Sequence, residues 1–264
     1  QKRDAVRGML LALFFIPKLK EQGLWDIYRS EVDVIWPTIA MENRGVMVNE
    51  KACNALISRL KTDVATVLDQ VEAYVGQRLK LGAPEVVRDL LYTKLGLKPR
   101  KDKKRKEGTT NKDVLLELRE ASPHPMLDAV IKYRSWTRGI STLRSYLDAM
   151  DENHIIHPNI STCQAITGRE SCSDPNLQNV QKDKALKNPF PIPARKAFRP
   201  RPGYVNFHID YSGREARLLI HYSGDQVMVD IANGGGPPEF RGDTHALAAT
   251  LFYGERFSGA EWDS

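Results

Sequence analysis

Cysteine is scarce in this chain: Cys53, Cys163 and Cys172 are the only ones in 264 residues. None forms a CxxC pair and the number is odd, which argues against a disulfide framework and for a reducing compartment. Long apolar runs are also missing. The most apolar stretch, Met9–Ile16, follows Lys2, Arg3 and Arg7 in the manner of a secretory signal. It falls far short of the ~20 apolar residues that span a bilayer, and no small-x-small cleavage site follows. Pro17-Lys18-Leu19-Lys20 leads on into another helical pattern, so the stretch reads as a helix whose apolar face has lost, or docks on, a neighbouring domain. An initiating methionine is absent, so the chain is expected to start inside a longer one. With 41% hydrophobic and 27% charged residues, the composition is neither that of a disordered polyelectrolyte nor that of a membrane bundle. The length allows one large core or two modest ones, and no internal repeat is visible.

What the chain has instead is concentrated charge. The formal net charge is +6, and residues 98–106 alone hold seven basic groups and one acidic group, so the rest is close to neutral. Such a run repels itself and suits a polyanion such as DNA. From charge alone, a solvated basic loop is the slightly favoured reading.

The first half reads as helical. Leu24, Ile27, Tyr28, Ile35, Trp36 and Ile39 recur at helical steps until Gly45. Asn49 caps a long helix carrying Leu56, Leu60, Val64, Val67, Leu68, Val71 and Val75, and Gly76 ends it. Pro84 opens a short helix closed by Gly96. Thr110 and Asp113 resemble a capping box ahead of Val114–Arg119, and a further helix runs from about Met126 to Met150. Long helices flanking a basic, irregular tip make an arm. After Asp151 the chain turns to Pro, Ser, Thr and Asn through residues 155–200. Tyr204–Asp210 then alternates, with Val205, Phe207 and Ile209 on one face, which predicts a half-buried strand. Glu215, Leu218, Leu219 and Tyr222 fit a helix after it, Gly234–Pro238 fits a loop, and Asp243 fits the cap of a last helix through Phe252. The fold class is α+β: a mainly helical arm attached to a smaller layer with an antiparallel sheet.

Two constellations carry chemistry. Asp210 sits between the predicted strand and helix, where a carboxylate is rigidly held and exposed. That placement suits a hard cation such as Mg²⁺ and a two-metal phosphoryl transfer; out of context, a simple cap of the following helix is the favoured reading. Glu215 lies in the next helix and Arg217 is near enough to balance the acidic pair. The second is Thr167-Gly168-Arg169-Glu170-Ser171-Cys172-Ser173-Asp174-Pro175-Asn176-Leu177-Gln178-Asn179. Its donors suit a minor groove, where all base pairs present common acceptors. A polar loop that satisfies its own backbone through Asx and Ser turns is the even alternative.

Thr167–Asn179 resembles the family A DNA polymerase pattern TGRLSSSDPNLQN nearly residue for residue. Asp210-Tyr211-Ser212-Gly213-Arg214-Glu215-Ala216-Arg217 is similar to that family's motif A, commonly DYSQIELR, in the same order and at a matching distance. Arg195-Lys196-Ala197-Phe198 resembles its RxAF segment, and Ala83-Pro84 through Leu95-Gly96-Leu97 resembles SPKQL…KLGL. Tyr133-Arg134-Ser135 with Ser141-Thr142 resembles the long thumb helix. Glu42–Val46 resembles the start of the thumb, and His245–Gly254 the start of the fingers. The departures are Gly213, Arg214 and Ala216 in motif A, Glu170 and Cys172 beside Arg169, and Asp183 where Arg is frequent.

The resemblance implies a thumb and partial palm. Residues 1–30 correspond to the tail of an upstream 3′–5′ exonuclease-like domain, with Asp4 similar to its last carboxylate. Residues 31–153 correspond to the thumb with its tip at 98–106, 154–233 to a partial palm including motif A, and 234–264 to the start of the fingers. It implies that Asp210 holds two Mg²⁺ ions, that Tyr211 adds a metal-facing backbone carbonyl, and that Glu215 excludes the ribose 2′-hydroxyl. Arg169, Asn176, Gln178 and Asn179 then hold the minor groove near the primer terminus. Arg134, Ser141 and Thr142, with Lys103, Lys104 and Arg105 of the tip, contact phosphates. Partners would be primer–template DNA and dNTPs in a bacterial or phage-infected cytoplasm, with no membrane. The fingers helix and the HDE hairpin with the second catalytic aspartate do not occur before Ser264. This chain alone is therefore expected to be inactive, its other readings being a non-catalytic duplex-binding module or half of a split polymerase completed by a second chain.

Overall fold

The computed structural model describes residues 2–100, 108–181, 188–207, 209–211, 213–235, 247 and 250, which fall into two units, residues 1–205 and 206–264. The first unit opens with helix α1 (Lys2–Glu21), whose Met9, Leu10, Leu11, Leu13, Phe14 and Phe15 are exposed. The helical pattern from Leu24 to Ile39 becomes two helices, α2 (Trp25–Asp33) and α3 (Ile35–Arg44), broken at Val34. Among the described residues no helix is long and apolar enough to cross a membrane.

Gly45 ends α3 with φ 60° and ψ −171°, a conformation open essentially to glycine alone. The chain then forms β1 (Val46–Met47). Asn49 caps α4 (Glu50–Val75), its Oδ1 accepting the Ala52 N–H at 3.2 Å, and left-handed Gly76 closes that helix. Pro84 starts α5 (Pro84–Arg88), which passes into a π-helical turn over Asp89–Lys94. The cap of α6 (Lys112–Ala121) is Asn111 rather than Thr110. The Asn111 Oδ1 takes the Val114 N–H at 2.9 Å, whereas Thr110 is buried and its hydroxyl accepts from Arg134. Helix α7 (Pro125–Ala149) has proline in its first turn and the His124 ring nitrogen accepting the Met126 N–H at its start.

Helix α4 packs chiefly against α7, and two apolar clusters lie along this pair. One joins Val67 and Val71 to Val87, Leu91, Leu118 and Leu127. The other joins Cys53, Ile57 and Leu60 to Ile140, Leu143, Tyr146, Ile156 and Ile192. Burial in the second, with Glu50 adding a smaller effect, pushes the Cys53 thiol up to about 11, so it stays protonated and unreactive near neutral pH. Strand β2 (Ile155–Ile156) pairs antiparallel with β1, Val46 opposite Ile156 and Met47 opposite Ile155. Strands β3 (Asn159–Ser161) and β4 (Ser171–Ser173) form a second antiparallel pair with Ile160 opposite Cys172. Among the described residues the architecture is thus α+β, with helices dominant and two small sheets.

In the second unit the helix predicted around Leu218 is α8 (Arg214–Ser223). A further helix, α9 (Gln226–Ala232), follows, its start capped by Asp225. The strand predicted over Tyr204–Asp210 is not formed: the described residues of this segment have no ladder partner. Phe207 and Ile209 are 84% and 86% exposed. Alternation supplies one apolar face, but a strand exists only where a neighbour takes up its backbone hydrogen bonds. The helix cap expected at Asp243 lies outside the described residues.

Candidate nucleic-acid interface

On α7, Arg134, Arg138, Ser141 and Ser145 recur at helical spacing, so they share one side of the helix, and Arg138, Ser141 and Ser145 are exposed there. The opposite side carries Ala129, Ile140 and Leu143, which are buried. The polar side of α7 forms part of an open pocket lined by Gly82, Pro84, Arg88, Thr109, Thr110, Asn111, Arg134, Thr137 and Arg138. Three arginines around one opening make it anion-attracting.

The three arginines are not equivalent. Arg134 donates from Nε to the Leu81 carbonyl at 3.3 Å, from Nη1 to the Thr110 carbonyl, and from Nη2 to Thr110 Oγ1 at 3.3 Å. Burial pulls its pKa down from the ordinary arginine value. Arg88 donates from Nε to the Gly108 carbonyl at 3.0 Å, whereas Arg138 is exposed. Arg134 therefore ties the loops before α5 and α6 to α7, and two of its five N–H groups remain beyond these bonds. Arg88 and Arg138 escaped the sequence reading, although Arg138 lies four residues after Arg134 and that spacing alone places the two together. Arg134→Leu is expected to cost about 2 kcal/mol, since hydrogen bonds from a charged donor are lost and buried acceptors are orphaned. Arg138→Ala should stay within about 0.5 kcal/mol of the parent. Urea unfolding of both variants checks the contrast, and equal losses would contradict it.

The Thr167–Asn179 segment forms one arm of a hairpin and the turn beyond it. Gly168 is left-handed, its N–H bonded to the Ala165 carbonyl at 3.0 Å, and this turn sets Arg169 just ahead of β4, where it is exposed. Beyond β4, the Asn176 Oδ1 accepts the N–H groups of Gln178 and Asn179 at 3.0 and 3.2 Å, an Asx turn. The Gln178 amide donates to the Glu170 carbonyl at 3.1 Å. Inward, the Leu177 N–H meets Cys172 Sγ at 3.4 Å, and Leu177 and Val180 pack on the cluster shared by α4 and α7. The segment therefore both satisfies its own backbone and presents an exposed arginine. Ser141 is exposed and Thr142 half-buried on α7. Lys103, Lys104 and Arg105 lie outside the described residues.

In the second unit, Asp210 and Tyr211 are exposed and line a cleft with Arg214, Arg217 and Leu218 of α8. The Arg214 guanidinium stands over the Tyr211 ring at 5.9 Å. Glu215 is in the first turn of α8, outside that lining. The cleft offers one carboxylate beside two guanidinium groups. Among the described residues no group of three or more His, Cys, Asp or Glu side chains is placed to hold a metal ion. This donor set does not fit a complete two-ion site, and Asp210 fits only as one ligand of one.

The model of "DNA polymerase family A" matches residues 50–259. DNA polymerase I of Synechocystis sp. is 30% identical over 221 residues, spanning 82% of this chain and 21% of the relative. The thermostable DNA polymerase I of Thermus thermophilus is 30% identical over 268 residues, 98% of this chain and 31% of the relative. The POL domain of Pol1 from M. smegmatis, solved in complex with DNA primer-template and dNTP, superposes with a TM-score of 0.64 at 26% identity. That match covers 82% of this chain and 41% of that one. The chain thus spans about a fifth to a third of the length of these curated relatives. On its sequence and on its fold alike, it belongs to DNA polymerase family A.

Proposed function

We propose that this chain is the thumb and the first half of the palm of a template-directed DNA polymerase, and that its own work is to hold primer–template duplex. The observation that carries the reading is the pairing, within one unit, of a basic, hydroxyl-bearing side of α7 with a hairpin that exposes Arg169. Arg138, Ser141 and Thr142 contact backbone phosphates, which fixes position without reading sequence. Arg169 donates to minor-groove acceptors that every base pair presents, supported by Gln178 and Asn179. The thumb is residues 31–153 and the partial palm 154–233, with an exonuclease-like tail at 1–30 and the start of the fingers at 234–264. In the complete protein, which works in the cytoplasm of a bacterial or phage-infected cell, dNTPs are added to a primer 3′-hydroxyl. Family membership points to divalent metal use, and Mg²⁺, two ions, is the proposed form. Asp210 supplies one ligand and Tyr211 a backbone carbonyl, while Glu215 excludes the ribose 2′-hydroxyl.

A second reading is favoured by the single carboxylate in the Asp210 cleft. On that reading the chain works as a duplex-binding module, or as half of a split enzyme that a second chain completes.

The test of DNA holding is the affinity of the 264-residue chain for a fluorescent primer–template duplex between 50 and 200 mM NaCl. The log–log slope should be about −0.9 for each phosphate neutralised by Lys or Arg, so Arg138 with Lys103, Lys104 and Arg105 of the tip gives roughly −3.6. A flat response would overturn the reading.

A further inference from the structure

Gly139 stands in the middle of the 25-residue α7, and glycine is among the poorest formers of a helix interior. Its packing supplies the reason. A Cβ at this position would overlap Ile192 Cδ1 and lie 3.4 Å from Ile192 Cγ1 and 3.8 Å from Leu60 Cδ1. Ile192 is 4% exposed and fills the notch. It comes from a strap over residues 188–193 that runs along α7. The Asn188 amide donates to Ser135 Oγ at 3.1 Å, and that hydroxyl donates to the Phe190 carbonyl at 3.3 Å. The Lys132 ammonium stands 4.7 Å from the centre of the Phe190 ring. Lys132, Ser135 and Gly139 recur at helical steps, so the strap follows one stripe of α7 beside the one carrying Arg134, Arg138 and Ser141. Ile192 also belongs to the cluster on which Leu177 and Val180 pack, and these flank Gln178 and Asn179.

We propose that Ile192, seated at Gly139, is a positioning key that holds the phosphate-contacting side of α7 and the Arg169 hairpin in one fixed arrangement. The proposal rests on the DNA-holding reading above. Without the key, α7 and the hairpin keep their own folds, but fewer of their groups meet one duplex at the same time.

The test uses Gly139→Ala, Ile192→Ala and the double variant in the 264-residue chain. Alone, Gly139→Ala should lower Tm. In the Ile192→Ala background the same substitution should raise it, because the notch is empty and alanine favours the helix. Binding of labelled primer–template, measured where each variant is folded by near-UV circular dichroism, should weaken about tenfold in Ile192→Ala. Its salt slope should become shallower by about one phosphate contact. The same sign of the Gly139 effect in both backgrounds would overturn the key and notch. Thermal coupling with an unchanged salt slope would reduce Ile192 to a packing residue and overturn the positioning role. If the parent chain itself binds without salt dependence, the DNA-holding reading falls and the positioning role with it, while the thermal coupling still reports the notch.

Discussion

Gly45→Ala is expected to lower the unfolding free energy by about 3 kcal/mol or more, a large share of the roughly 5–15 kcal/mol that holds a domain folded. Two independent costs meet at this residue. Its φ of 60° with ψ −171° lies in a region that costs a residue with a Cβ about 1–3 kcal/mol. An added Cβ would also press on the Ile156 carbonyl oxygen and come within 2.6 Å of Ile155 Cγ2 and 3.0 Å of His157 Nδ1. Those atoms belong to β2 or follow it, so relief requires β2 to move away from β1, with which it pairs at Val46 and Met47. Further contacts resist that movement. The His157 ring is bonded to the Glu42 carbonyl at 2.7 Å, and the Ile160 N–H donates to Glu42 Oε1 at 2.6 Å. The measurement is urea unfolding, where the midpoint should fall with little change in slope. A loss below 1 kcal/mol would mean that the corner relaxes freely and that the glycine is incidental.

The same glycine marks what was legible in the chain. Gly45, Asn49 and Gly76 set helix ends through local rules of φ and side-chain capping, and the elements they bound stand where the sequence placed them. Asn111 displaced Thr110 as a cap because Thr110 is drawn into a bond with Arg134, 24 residues away. Periodicity carries no record of such a bond. The exposed segment at Tyr204–Asp210 shows the same limit from the other side. Its alternation encodes a face, while the strand depends on a partner found elsewhere. Motif residues such as Arg169 and Asp210 were visible because their order along the chain resembles a known pattern. Burial is what the sequence could not assign, and it divides Arg134, bonded into the fold, from Arg138, exposed on the same side of the helix. The notch at Gly139 was equally hidden, since Ile192 reaches it from 53 residues away and glycine in a helix announces no partner.

In a complete polymerase carrying this segment, Asp210→Ala should reduce primer extension by at least about 10³-fold and leave duplex affinity within about twofold. The asymmetry follows from the cleft. Asp210 is the one carboxylate among its lining residues, beside Arg214 and Arg217, so its removal takes away the acidic oxygen donor and leaves the basic groups in place. If Asp210 is a ligand in phosphoryl transfer, several kcal/mol of transition-state stabilisation go with it, and each 1.36 kcal/mol is a factor of ten in rate. DNA holding, by contrast, is assigned to α7 and the Arg169 hairpin in the other unit, and the lost negative charge would if anything favour a polyanion. Extension and affinity must therefore be measured on the same preparation, with single-turnover incorporation for one and anisotropy for the other. Retained extension would remove Asp210 from the catalytic centre. Loss of extension together with a large loss of affinity would place Asp210 in folding or in DNA holding instead. Extension lost with affinity intact is the outcome that separates chemistry at the Asp210 cleft from the DNA grip proposed for α7 and the Arg169 hairpin.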